Sequence, residues 1–286
     1  MVRVVYFADP ARTLLTKSWR PAEVASDSFA YIQEEPTAEA VVLVHGYGGS
    51  PATTWRDFDV LAREDVGRDW YFVGYESVSD RVTTSAYKLR VFLSKLAPNP
   101  EEVFLVSYYG RAPDRTYNRV TLVGHSLGGV VIRDAIRQLH QHDPQASALG
   151  SITRIVLFSP ALYGAKPARW LGAFEGFSGD LPLLQRFKGL VTGYSPSYRE
   201  ITDPQPHGVL AVLRAERPPR GPHSEIVWAD PDDVVDTGPT RTDDKVVALV
   251  PGRGHTEVCK PASPAYLTPW ALVTTGAVIQ SEVVGP

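Results

Sequence analysis

An α/β protein with a mainly parallel sheet and helices on both sheet faces is what this sequence predicts, and three observations predict it. Short β-branched runs alternate with helical stretches along most of the chain. Several runs are continuously apolar, as in Val41-Val42-Leu43-Val44 and Val246-Val247-Ala248-Leu249-Val250, the pattern of strands buried on both sides. The third is the pentapeptide Gly124-His125-Ser126-Leu127-Gly128, set between the apolar run Val120–Val123 and a stretch from Gly129 to His140 that reads as helix. At 286 residues, 43% of them hydrophobic and 21% charged, the chain has the length and core material of one large domain, residues 1–286.

The elements follow in order. Val2 to Phe7 and Phe29 to Gln33 read as early strands, forming an antiparallel edge. Ala40 to Val44 is a buried strand ending at His45-Gly46, Thr53 to Arg63 reads as a helix, and Trp70 to Gly74 as the next strand. Ala86, Leu89, Phe92, Leu93 and Leu96 place an amphipathic stripe on a helix over Thr84 to Leu96. Residues 98–109 carry both a helix start, Asn99-Pro100-Glu101-Glu102, and a strand-like run, Val103-Phe104-Leu105-Val106, so both readings stay open. Ile155 to Phe158, Ile226 to Ala229 and Val246 to Val250 are the later buried strands. The stretch 161–206 carries Trp170, Phe174, Phe177, Phe187, Tyr194 and Tyr198 among glycines and prolines. It is too long for a plain connection and too apolar for a disordered linker, so a cap or lid over the strand ends is expected, the alternative being a helical pair on the sheet's flank.

Composition narrows the function classes. A net charge of −3 leaves no basic footprint for nucleic acid. No apolar stretch is long enough for a membrane span. The first twenty residues hold Arg3, Asp9, Arg12 and Lys17 and no signal-type apolar core. Cys259 is the single cysteine, which excludes an intramolecular disulfide and a cysteine-based metal site and fits a reducing compartment. A cytoplasmic location is the expectation; oligomeric state stays open.

Gly124 to Gly128 has the Gly-x-Ser-x-Gly form in the context that gives it meaning: buried strand, sharp turn, helix. Such a turn strains the serine backbone and needs very small neighbours. It also lifts the hydroxyl clear of the sheet, next to the amides of a helix N-terminus. A serine hydroxyl is a poor nucleophile until a base takes its proton and a carboxylate orients that base. Seven histidines are available. His45 and His125 lie in the two glycine-containing turns and are expected to pack and hydrogen-bond. His140 and His142 fall at the far end of the helix, and His207 and His223 in proline-rich loops. His255 remains, after the strand Val246 to Val250 and the link Pro251-Gly252-Arg253-Gly254. For the acid, the strand Ile226 to Ala229 runs into Asp230-Pro231-Asp232-Asp233. Asp232 is the first choice, Asp233 the alternative acid, and Asp230 a turn closer beside Pro231. Two backbone N–H groups must face a developing oxyanion, and Leu127 after the nucleophile and Tyr47 in His45-Gly46-Tyr47-Gly48-Gly49 are placed to supply them.

Val41 to Ser50, together with Thr121-Leu122-Val123-Gly124-His125-Ser126-Leu127-Gly128-Gly129, resembles the α/β-hydrolase superfamily, and most of all its lipase-like serine esterases. The likeness extends from about Ala40 to Lys260. It implies an α/β-hydrolase fold with a cap insertion, Ser126 as nucleophile, His255 as base, Asp232 as acid, and Tyr47 and Leu127 at the oxyanion hole. Ser159-Pro160-Ala161-Leu162-Tyr163-Gly164 departs from the Thr-Pro-His-type turn that many lipase-like members carry there.

Smaller features have competing readings. Cys259, four residues after His255, is expected as a small apolar filler rather than a nucleophile. Ser50, Thr53 and Thr54 are expected to cap a helix; Trp55 lines a pocket or the core; Arg253 meets an anionic substrate group or solvent. The leading expectation is a carboxylic-ester hydrolase acting through an acyl-enzyme on a small-molecule ester with an apolar group, with no metal and no organic cofactor. The same residues would serve an amide, thioester or lactone. The rival class is a non-catalytic scaffold that binds a small apolar ligand or a protein partner.

Overall fold

A computed structural model describes residues 2–6, 28–98, 115–166, 195–215, 222–238, 244–262 and 264–284. Its strands are β1 (Val2–Tyr6), β2 (Phe29–Gln33), β3 (Glu39–Val44), β4 (Asp69–Val73), β5 (Arg119–His125), β6 (Ile152–Phe158), β7 (Ser224–Asp230) and β8 (Lys245–Pro251). The described helices are α1 (Pro51–Trp55), α2 (Phe58–Glu64), α3 (Val82–Leu96), α4 (Leu127–His142), α5 (Ser147–Ser151), α6 (Pro196–Thr202), α7 (Val209–Ala215) and α8 (Thr268–Thr275). Every strand expected from sequence is present, β2 with the expected ends and the others with shifted ones, and β1 and β2 form the expected antiparallel edge. The single helix expected over Thr53 to Arg63 is instead two, α1 and α2, broken where Arg56 takes φ 37°. The apolar spacing runs on across the break, with Trp55 and Phe58 both fully buried on either side of it, so periodicity alone reads straight through. The ambiguous segment within 98–109 falls outside the described residues apart from Pro98.

Eight strands form one sheet in the order β1-β2-β4-β3-β5-β6-β7-β8, parallel from β4 to β8. After β3 the chain moves to one side to make β4, then returns to the other side to make β5. That reversal opens a crevice at the carboxyl ends of β3 and β5, where open α/β sheets hold their ligands.

The continuous apolar runs are explained by two cores. Side chains alternate across a strand, so Val42 and Val44 join Leu122, Leu157 and Trp228 against α3 and α4, while Val41 and Leu43 join Val123, Val156 and Val227 on the other face. Trp55 and Phe58 belong to that second core, which also receives Leu272 and Val273 of α8. The predicted stripe on α3 is buried at all five positions.

At the opposite end of the sheet from the crevice, Asp69 at the start of β4 sits in a closed polar knot. Its carboxylate pairs with Arg115, both side chains fully buried, and accepts the Gln33 backbone N–H at 2.7 Å. Arg115 also donates to the Gln33 carbonyl at 2.7 Å, and the Tyr71 and Tyr117 hydroxyls meet at 2.6 Å. The knot ties β2, β4 and the approach to β5 together. Removing one partner of a buried ion pair strands the other, so Asp69→Ala should cost about 3–5 kcal/mol in a urea titration. The folded fraction should keep its kcat, because the knot lies away from the strand ends that form the crevice.

Candidate active site

Ser126 links β5 directly to α4 with φ 53° and ψ −119°, outside the regions open to ordinary L-residues. The surroundings enforce this. The Ser126 N–H donates to the Phe158 carbonyl at 3.0 Å, and the Ser126 carbonyl accepts from Gly129 at 3.1 Å and Ala161 at 3.1 Å. Glycine is needed on both sides: a Cβ at Gly124 would lie 2.9 Å from the Gly129 backbone nitrogen, and one at Gly128 would run into the Val44 carbonyl oxygen. The serine thus stands at the N-terminus of a sixteen-residue helix, whose first amides have no intrahelical acceptor.

His255, in the loop after β8, brings its Nε2 to 2.9 Å from Ser126 Oγ. Its Nδ1 lies 2.9 Å from Asp232 Oδ2. A carboxylate only accepts, so Nδ1 carries the proton and the Nε2 lone pair faces the serine hydroxyl. The other carboxylate oxygen of Asp232 accepts from the backbone of Val234 at 3.0 Å and of Val235 at 3.1 Å. The Asp232 side chain is fully buried, and His255 is 4% exposed. Burial alone would raise the Asp232 pKa; the hydrogen bond and charge of His255, with Ser159 and the Val235 amide, outweigh it and hold the pKa down at about 2. Of the three aspartates on this loop, Asp232 is the one whose carboxylate meets His255; Asp230 and Asp233 are exposed.

Ser159, just past β6, was not foreseen as a site residue. It is fully buried at φ 41°. Its hydroxyl accepts the Ala229 N–H at 3.0 Å and hydrogen-bonds the Asp232 carboxylate. One serine in a Phe-Ser-Pro sequence carries no spacing signal, and only its neighbours in space reveal the contact.

The loop after β3 closes over Ser126. The Gly48 amide donates to Ser77 Oγ at 3.0 Å and the Gly49 amide to the Gly46 carbonyl at 3.2 Å, which fixes the turn around Tyr47. Tyr75 braces the same loop: its hydroxyl donates to the His45 carbonyl at 2.9 Å, and its ring stacks on His45 at 4.4 Å. Leu127 opens α4 on the other side. Tyr75 and Ser77 had no sequence signal, since they follow β4 and reach the site only through the sheet order.

Within the expected cap, the described parts are 161–166 and 195–206. Trp170, Phe174, Phe177, Phe187 and Tyr194 lie outside the described residues. On α6, Tyr198 places its ring 5.8 Å from that of Tyr47, and Ser195 and Ser197 donate to the carbonyls of Val78 and Ser77. The remaining candidates have settled places. Trp55 is in the core, Ser50 caps α1 in a reciprocal box with Thr53, and Arg253 lies 4.4 Å above the Tyr266 ring. Cys259 is fully buried, and burial pushes its thiol up to about 12, the wrong direction for a nucleophile. His142, His207 and His223 are exposed, and His140 lies near the end of α4 remote from Ser126. Among the described residues there is no cluster of three or more His, Cys, Asp or Glu that could hold a metal ion, and no helix long and apolar enough to cross a membrane.

Residues 35–165 match the family described as Putative serine esterase (DUF676). No curated protein sequence matches the chain significantly. Among solved structures, the Bacillus licheniformis lipase BlEst2 in its propeptide form is similar with a TM-score of 0.51 and 14% identity, over 88% of this chain and 54% of the lipase. The chain therefore spans about half the length of that lipase. The 2-hydroxy-6-oxo-6-phenylhexa-2,4-dienoate hydrolase (BphD) from Rhodococcus sp. strain RHA1 is similar with a TM-score of 0.50 and 14% identity, over 90% of this chain and 94% of that one. At such identities the likeness is one of fold. The chain therefore has an α/β-hydrolase fold, and over residues 35–165 it is similar to the putative serine esterases.

Proposed function

We propose that the chain is a serine esterase that hydrolyses carboxylic esters through an acyl-enzyme, with Ser126 as nucleophile, His255 as base and Asp232 as its orienting acid. The observation that carries this reading is the unbroken line of hydrogen bonds Asp232–His255–Ser126, with the base lone pair turned toward the hydroxyl. In the reaction, Ser126 Oγ bonds to the ester carbonyl carbon while its proton passes to His255 Nε2, and the carbonyl electrons move onto oxygen. That oxyanion rests against the amides of Leu127 and Tyr47, each contributing on the order of a hundredfold in rate. The intermediate collapses, the leaving alkoxide takes the proton from Nε2, and water repeats the sequence to free the acid. Asp232 stays ionised and stabilises the imidazolium without taking its proton.

The aromatic pair Tyr47–Tyr198 beside the oxyanion loop supports a substrate with an apolar acyl or aryl group. It also supports the reading of 161–206 as a cap, because α6 lies directly against that loop. Deleting part of 165–200 should then change the acyl-length preference of kcat/KM across a series of p-nitrophenyl esters; an unchanged preference in a folded deletion variant would make the segment a flank element instead. The same series tests the activity itself. Turnover of esters with little amide hydrolysis supports the esterase reading, and binding of apolar esters without turnover of any would favour a non-catalytic scaffold.

A further inference from the structure

His125, the residue before the nucleophile, is not used by the reaction above, yet it touches the base. Its Nε2 lies 2.8 Å from the backbone carbonyl oxygen of His255, and the two rings are 4.9 Å apart. A carbonyl can only accept, so the His125 proton sits on Nε2 and the neutral ring keeps its lone pair on Nδ1. That nitrogen is buried with no hydrogen-bond partner. Gly46 closes over it: a Cβ there would be 3.0 Å from His125 Nδ1 and 3.0 Å from Ser126 Cβ. The pocket is therefore shaped for a neutral, Nε2-protonated imidazole and offers nothing to a second ring proton. Burial first, then the neighbouring His255 and Lys260, bring the His125 pKa down to about 3. A neutral His125 neither competes as base nor repels the imidazolium that His255 becomes.

The loop bearing His255 is also held by its own turns, Glu257 and Val258 donating back to the Gly254 carbonyl, and by the Tyr266 hydroxyl on the Val258 carbonyl at 2.8 Å, while Asp232 holds the His255 ring. We infer that His125 is a positioning residue, which ties the backbone of the base to the residue adjoining the nucleophile through its Nε2–H bond to the His255 carbonyl. That bond is a strut only a single residue from the serine, which fixes the backbone of the base while Asp232 orients its ring. A misplacement of about 1 Å at such a pair costs on the order of a hundredfold in rate. This inference rests on the assignment of Ser126 and His255 made above.

The test uses the full chain and compares wild type with His125→Phe, which keeps a ring but lacks the N–H, and His125→Gln, whose amide nitrogen reaches the Nε2 position. The readouts are the rate of fluorophosphonate labelling at Ser126 and the separate kcat and KM for a p-nitrophenyl ester. The expected result for His125→Phe is a fall of about 10- to 100-fold in labelling rate and kcat, with KM within about twofold. His125→Gln should recover most of that loss, whereas a packing role would be met by Phe and not by Gln. Imidazole nitrogen NMR of the wild type should find His125 protonated at Nε2 alone; the opposite tautomer overturns the inference without any variant having to fold. A labelled wild type with an equally fast Phe variant overturns this inference only. A folded wild type that takes no label overturns the catalytic assignment along with it.

Discussion

Replacing Ser126 with alanine is expected to lower kcat by about 10⁶-fold while leaving a folded protein. The size follows from the chemistry, because without Oγ there is no covalent intermediate and His255 has no hydroxyl to activate. The residual rate would come from the oxyanion amides and from substrate binding, which the substitution leaves in place. The fold should tolerate the change. The Ser126 backbone is held by Phe158, Gly129 and Ala161, and none of those bonds involves the side chain. Alanine meets the same backbone constraint at φ 53° as serine does. Thermal unfolding followed alongside ester turnover separates the two effects, and turnover within tenfold of wild type would remove Ser126 from the mechanism.

The second large effect is expected at the acid. Asp232→Asn should reduce kcat by about 10⁴-fold, because the amide offers its N–H to His255 Nδ1 and drives the ring to carry its proton on Nε2. A protonated Nε2 can no longer accept from Ser126 Oγ. The amide oxygen can still accept from Val234 and Val235, so the loop geometry survives. Asp230→Asn and Asp233→Asn should change kcat by less than about twofold, since both residues are exposed and the Asp232 carboxylate is the one that bonds His255. A reversed ranking would move the acid to another residue of the same loop. The carboxylate also leaves a mark on stability. Its folded pKa of about 2 lies below the ordinary 3.8, so its contribution is present in full above pH 3.8 and is lost as pH falls from there through about 2. That contribution is about 2 kcal/mol, from the linkage between pKa shift and stability. The stability difference between wild type and Asp232→Asn in chemical denaturation should shrink across that window and stay constant above it.

How far the sequence reveals this molecule depends on whether a feature is local. The central strands are legible because both faces of the sheet are covered, which makes Val41 to Val44 or Ile155 to Phe158 continuously apolar. The break at Arg56 is not, because apolar spacing continues across it while only the backbone turns. The elbow is legible because Gly124 and Gly128 are demanded by close backbone contacts a few residues away in the chain or in the β3 loop. The three neighbouring aspartates are ranked in the sequence only by their place on the loop after the strand, since what separates them chemically is tertiary: the amides of Val234 and Val235, the Ser159 hydroxyl and His255 converge on Asp232. Ser77 and Tyr75 likewise reach the loop after β3 only because β4 lies beside β3 in the sheet. Short helices such as α5, five residues long, carry too little periodicity to be read.

The most direct test of the account is intact-mass labelling with a fluorophosphonate, applied to wild type, Ser126→Ala and His255→Ala. It asks whether the serine is activated without requiring the natural substrate. The account predicts one adduct on wild type, mapped by peptide sequencing to Ser126 and absent from both variants. An unlabelled but folded wild type, or an adduct that persists in Ser126→Ala, would contradict it.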